Sequence, residues 1–185
     1  MAAVSIKNYT VEEYFAIDCE NDRGEKYEYY YGEIFAMAGG TMEHNKISRN
    51  IDKVLDSQTG CNIFTLDMRL QIENRNDYTY PDVMLVCGEF AKGTTIATNP
   101  VLIVEVISES TEHYDRTSKF TRYQKIQSLK YYLLVSQNEV FVELYTRNGG
   151  KQWLYESFNN MNDKVLLPDL SITLPLSDIY KKIKF

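Results

Sequence analysis

The chain has 185 residues, 44% of them hydrophobic, with 26 acidic against 20 basic side chains and a formal net charge of −6. That length suits one α/β domain over 1–185, since such domains commonly run to roughly 200 to 250 residues. The negative field excludes a protein that holds nucleic acid by bulk charge, so any such contact must use a local basic patch.

The three cysteines, Cys19, Cys61 and Cys87, lie singly, without the paired spacing of zinc ribbons or redox motifs. A reducing, cytoplasmic setting is the simplest expectation. Met1 to Lys7 lack the apolar run of a signal peptide, and no apolar stretch approaches the roughly 20 residues needed to span a bilayer, so no membrane is expected.

Thr10-Val11-Glu12-Glu13 has the spacing of a capping box and predicts a short helix. Residues 27–38, rich in tyrosine with Gly32 at the bend, predict a hairpin. Thr41 then caps a helix to about Ser57, with Ile47, Ile51, Val54 and Leu55 on one face and His44 in its first turn. Phe64, Leu66, Met68, Leu70 and Ile72 alternate with mostly polar residues, the signature of a half-buried strand over 63–72, and Asn74 to Asp77 supply a turn.

Two nearly continuous apolar runs, 79–87 and 101–107, read as strands covered on both faces. Tyr114 to Ser128 predicts a helix through Phe120, Tyr123 and Ile126. Strands follow at 130–136 and 139–146, smaller strands beyond them, and a short helix over 176–183. This order favours α/β packing with a mixed sheet between helices.

Each apolar run holds one carboxylate deep inside it. Asp82 follows Pro81 in Tyr80-Pro81-Asp82-Val83, and Glu105 shares a strand face with Ile103 and Ile107. Two buried carboxylates close together repel and raise one another's pKa unless a divalent cation joins them. A hard, oxygen-ligated Mg2+ or Mn2+ meets that need; separate pairing of each acid with Lys or Arg is the other reading of the same residues.

Pro81-Asp82, then 22 residues, then Glu105-Val106-Ile107-Ser108 resembles the core of the PD-(D/E)XK nucleases, and more narrowly their Uma-type restriction-endonuclease-like family. Tyr27-Glu28, Gly32-Glu33, His44, Pro100, Ser108, Ser110, Asp115, Lys119 and Tyr123 carry the likeness across residues 27–136. The resemblance implies a restriction-endonuclease-like fold, with a central mixed β-sheet flanked by α-helices. It also implies a metal held by Asp82, Glu105 and the Val106 carbonyl. The superfamily motif places lysine where this chain has Ile107; in the Uma-type pattern the lysine stands on the following helix, here Lys119.

A lysine near a metal-bound water orients it and stabilises developing negative charge. Spacing alone allows a plainer reading, a surface pair between Asp115 and Lys119 at i,i+4. Glu28 is a further candidate ligand or acceptor, and His44 a candidate contact to phosphate or water. Arg116, Arg122 and Lys125 give the helix after Glu105 a basic aspect suited to DNA phosphates, or simply a charged solvent face.

Three functions follow. One is a Mg2+- or Mn2+-dependent endonuclease with Asp82, Glu105 and Lys119 as catalytic residues and DNA as substrate; another is a non-catalytic binding or assembly protein that keeps the fold. Hydrolysis of a smaller phosphate ester is a third. Nothing in the sequence sets the assembly, and a homodimer is the commonest default.

Overall fold

Thr10 and Glu13 close their capping box reciprocally: the Thr10 N–H donates to Glu13 Oε2 at 2.9 Å and the Glu13 N–H to Thr10 Oγ1 at 3.1 Å, starting α1 (Val11–Cys19). The structure is a computed structural model that describes residues 8–19, 25–37, 39–73, 76–109 and 111–185. The start of the chain, Ala38 at the end of the expected hairpin, Asn74 in the expected turn, and Ser110 lie outside these residues.

The hairpin forms as β1 (Tyr27–Tyr30) and β2 (Glu33–Ala36). Tyr31 and Gly32 join them with φ of 45° and 95°, the left-handed pair that matches the twist of two adjacent strands. Next comes α2 (Met42–Asp56), capped by Thr41 Oγ1, which accepts the His44 N–H at 3.1 Å. Ile47, Ile51 and Leu55 form its buried stripe.

Two expected strands break. The segment 63–72 divides into β3 (Asn62–Thr65) and β4 (Arg69–Glu73), and the run 79–87 into β5 (Asp77–Thr79) and β6 (Val83–Val86). Both breaks belong to one bent antiparallel ribbon: Thr65 faces Val83 and Leu70 faces Thr79, so residues 66–69 oppose residues 80–82 and the first strand carries one residue more. An extra residue of this kind kinks a strand pair, and Leu66 at φ 52° absorbs it. Periodicity could not reveal the kink, because Phe64, Met68, Leu70 and Ile72 face the same apolar core on both sides of it.

The ribbon therefore passes from one sheet into another. Its outer half joins a five-stranded sheet ordered β2-β1-β5-β4-β7, with β7 at Ile96–Ala97. Its inner half joins a six-stranded mixed sheet ordered β11-β10-β9-β8-β6-β3. There β8 (Leu102–Ile107) runs parallel to β9 (Tyr131–Ser136), with β10 (Val142–Arg147) and β11 (Trp153–Phe158) beyond them.

The helix expected over 114–128 is shorter and broken into α3 (Glu112–Tyr114), a π-helical turn (Asp115–Lys119) and α4 (Phe120–Tyr123). Its Tyr123 and the following Ile126 and Leu129 cover one face of the six-stranded sheet. The other face packs on α2, the hairpin of β12 (Lys164–Leu167) and β13 (Ile172–Pro175), and α5 (Leu176–Ile179), a single turn of the helix expected to reach 183. Among the described residues no helix is long and apolar enough to cross a membrane.

Cys61 and Cys87 are not single thiols. They stand opposite one another beyond the paired Asn62 and Val86 and are joined by a disulfide. They are 26 residues apart in sequence, and only the β3–β6 register brings them together. This removes the argument from unpaired cysteines to a reducing compartment.

Ile51 is fully buried between α2 and the sheet. Ile51→Ala should cost about 3 kcal/mol, read as a lower midpoint of urea unfolding with the slope unchanged.

Candidate active site

Asp82 occupies the bend of the ribbon, at the entrance of β6 rather than inside a strand. Its backbone carbonyl accepts the Leu66 N–H at 3.2 Å, which ties it to the kink. One carboxylate oxygen, Oδ2, accepts the Val106 N–H at 2.7 Å and lies 3.0 Å from His44 Nε2. Gly40 leaves the space His44 needs, since a Cβ there would lie 2.8 Å from the ring Nδ1. Asp82 is thereby held from two elements, β8 and the first turn of α2.

Glu105 projects from β8 beside Ile103 and Ile107, as alternation requires. Its Oε1 accepts the Tyr123 hydroxyl at 2.6 Å and lies 2.9 Å from Lys119 Nζ. Lys119 ends the π-helical turn and is 5% exposed, so it is no half of a surface pair. Its ammonium also lies 3.6 Å from Glu28 Oε1 and 3.6 Å from Asp115 Oδ1. The structure thus brings Asp82, Glu105, Lys119, Val106, Glu28 and His44 to one cleft of about 850 Å³.

Glu28 reaches this cleft from the other sheet, on β1. Both of its oxygens are engaged: Thr79 Oγ1 donates to Oε1 at 2.6 Å, while the Tyr114 hydroxyl and Arg122 Nη1 donate to Oε2 at 2.9 and 2.8 Å. Arg122 also pairs with the buried Asp77 at 2.6 Å. Sequence reasoning missed Asp77, Thr79 and Tyr114. Their only signal is an aspartate and a threonine inside a short strand, which has no meaning until Arg122 is seen to be buried.

The three residues expected to meet phosphates are all ion-paired. Arg122 is 4% exposed and its donors are turned inward, which replaces the expected phosphate contact with a structural one. Arg116 pairs with Glu112 and Glu143, and Lys125 with Glu73 at 2.9 Å. Helical spacing could not distinguish these inward and paired cations from a free basic face.

Four buried carboxylates, Glu28, Asp77, Glu105 and Asp115, lie against the buried cations Lys119 and Arg122, while buried Asp82 is engaged by His44 and the Val106 N–H. Burial pushes the Glu105 carboxyl well above the usual carboxylate range; Lys119 opposes this, and Asp82 and Asp115 add to it. Asp115 is raised by burial against the pull of Lys119. Burial would lower Lys119, but Glu105, Glu28 and Asp115 hold its ammonium well above the ordinary lysine value. Burial likewise opposes protonation of His44, and its contact with Asp82 raises it on balance. The surplus is one of carboxyl groups over ammonium and guanidinium groups, and it includes Asp82 and Glu105.

That surplus, made of hard oxygen donors, fits a divalent cation such as Mg2+. Among the described residues no group of three or more His, Cys, Asp or Glu side chains is placed to hold a metal ion, so at most two such side chains would contribute. Mg2+ is commonly held by one or two carboxylates and completed by water and substrate phosphates. Asp82 and Glu105 supply that number, and Val106 lines the same cleft.

Residues 11–177 match the sequence profile of Uma2, described as "Putative restriction endonuclease". The chain belongs to the Uma2 family. It is 36% identical over 178 residues to the uncharacterized protein slr1290 of Synechocystis sp., covering 94% of this chain and 92% of that one. It is also 36% identical over 171 residues to sll1609 of the same organism, covering 89% and 96%. A crystal structure from Anabaena variabilis, described as "a putative nuclease belonging to DUF820", superposes with a TM-score of 0.76 at 18% identity over 95% of this chain and 99% of that one. The restriction-endonuclease-like α/β fold expected from the sequence is the fold of this Uma2 chain.

Within the Uma2 site, Glu28 offers a test of the buried network. Burial would raise its carboxyl, but Lys119, Arg122 and the Thr79 hydroxyl overcome this and lower it from 4.5 to about 2. A depressed folded pKa contributes stability above the unfolded value and loses it as pH falls through the folded one. Glu28→Gln should therefore cost on the order of 3 kcal/mol at pH 7. Urea midpoints of the two proteins should converge as pH falls from 4.5 toward 2.

Proposed function

We propose that this Uma2 protein is a metal-dependent endonuclease that hydrolyses phosphodiester bonds of DNA. The observation that carries the reading is the 2.9 Å approach of Lys119 Nζ to Glu105. The superfamily motif needs a lysine beside the second acid, and Ile107 cannot serve, being 5% exposed in the apolar core. Lys119 reaches the same acid from the following helix.

Asp82 and Glu105, with the Val106 carbonyl, would hold Mg2+ or Mn2+. The cation, when bound, lowers the pKa of a coordinated water and balances charge on a phosphoryl oxygen. The chain's own groups do the positioning. The Val106 N–H and His44 engage one oxygen of Asp82, and the Tyr123 hydroxyl anchors Glu105. The Lys119 ammonium orients the attacking water and stabilises negative charge as it develops on the phosphate. DNA as substrate draws its support from the description of the family and of the structural neighbour.

Conversion of supercoiled plasmid to nicked circles in Mn2+ or Mg2+ is the test. Asp82→Ala and Glu105→Ala should abolish nicking, and Lys119→Ala should slow it by roughly 10²- to 10³-fold. Ile107 in place of the motif lysine favours the second reading, a non-catalytic module that keeps the fold. A wild-type protein whose melting temperature rises with Mn2+ while the plasmid stays supercoiled would establish that reading instead. Turnover of a model diester without plasmid nicking would point to a smaller phosphate ester.

A further inference from the structure

We infer that the outer face of α2, together with the C-terminal segment packed beside it, is the surface on which the phosphate backbone of duplex DNA lies. The inference rests on DNA being the substrate and adds where it binds. The buried stripe of α2, Ile47, Ile51 and Leu55, fixes which side of the helix faces outward. Lys46, Arg49 and Lys53 recur at i, i+3 and i+7 on the opposite side, a line about 10 Å long at the helical rise.

Two side-chain contacts bring further cations to this line. Asn50 Nδ2 donates to the carbonyls of Ile179 and Lys181 at 2.9 and 3.0 Å, which holds the segment carrying Lys181, Lys182 and Lys184 along α2. Among the described residues none of these six cations makes an ion pair, and Glu43, Asp52, Asp56 and Asp178 on the same elements pair with none of them. On the α3–α4 side, by contrast, Arg116, Lys119, Arg122 and Lys125 are all paired.

Position supports the assignment as well as charge. Thr41, His44 and Asn45, in the cap and first turn of α2, line the acidic cleft, so the basic line begins where the cleft ends. A strand of duplex DNA carries one phosphate per roughly 3.4 Å of axis, so a line of about 10 Å spans about three phosphates. The protein is negative overall, at −6, and this patch is the local exception such a partner requires.

The test is fluorescence anisotropy of a labelled duplex against the full chain in EDTA over a range of NaCl, so that no cleavage enters the measurement. The triple change Lys46→Gln, Arg49→Gln, Lys53→Gln should weaken binding at least tenfold at low salt. It should also flatten the slope of log affinity against log salt by about 2 to 3. Lys181→Gln, Lys182→Gln, Lys184→Gln should act in the same direction, whereas Lys130→Gln with Lys151→Gln should leave affinity and slope unchanged. Far-UV circular dichroism of each variant checks that α2 remains folded.

No duplex binding by the wild type, or an unchanged slope in both triple variants, overturns the inference. Tighter capture by phosphatidylserine vesicles than by the duplex would overturn it too, in favour of a membrane surface. Binding with the expected slopes and no nicking in Mn2+ would leave this surface standing while the catalytic reading fell.

Discussion

The Lys119 ammonium, buried among Glu105, Glu28 and Asp115, is what lets carboxylates from two sheets share one end of the molecule. Each of these acids alone would be driven toward its neutral form by burial. Set around one ammonium and the Arg122 guanidinium, Glu28 is held ionised while Glu105 remains raised. Such a network is poor evidence of stability, because an apolar cluster of the same volume is often as stable. It is better evidence of position, since each oxygen of Glu28 and the near oxygen of Glu105 has a named donor at hydrogen-bond distance.

Position in turn depends on the kink in the β3–β4 and β5–β6 ribbon. One extra residue at Leu66–Arg69 turns the ribbon out of the six-stranded sheet and into the five-stranded one. The bend sets Asp82 at the entrance of β6, facing the Val106 N–H. It also places Asp77 and Thr79 in the other sheet, where they reach Arg122 and Glu28. A straight ribbon would leave these groups in one sheet, and the cleft between the two would not exist. The π-helical turn has a similar effect on the opposite wall, where Asp115 and Lys119 both face inward.

Much of this was legible in the residues. The capping box at Thr10, the bend at Gly32, the α2 stripe and Glu105 as a lone acid inside a strand each obey a local rule that held, whereas Asp82 is buried as expected but at a bend. The resemblance to Uma-type proteins carried Lys119 to the site, which spacing alone assigned to a surface pair. Illegible were the features set by long-range register. The kink preserves alternation, the Cys61–Cys87 bridge depends on strand pairing, and the inward turn of Arg122 depends on Asp77 from another sheet. Free and paired cations look alike in sequence, so Arg116, Arg122 and Lys125 drew attention that the unpaired line on α2 did not.

The separation of charge bears directly on how the proposed reaction would be ordered. A cleft with surplus buried carboxylate repels a phosphodiester, so a substrate cannot be held there by the site's own side chains before a cation has offset that charge. A basic surface outside the cleft has no such restriction, because among the described residues its six cations make no ion pairs. In the proposed function, capture of the polyanion and admission of one phosphate to the acids are then distinct steps with opposite electrostatic needs. The first would use the cations of α2 and weaken with salt; the second would rely on the charge balance that a divalent ion held by Asp82 and Glu105 would supply, in a buried site less open to screening. The −6 of the whole chain is compatible with both, since it resists phosphate wherever neither surface is engaged.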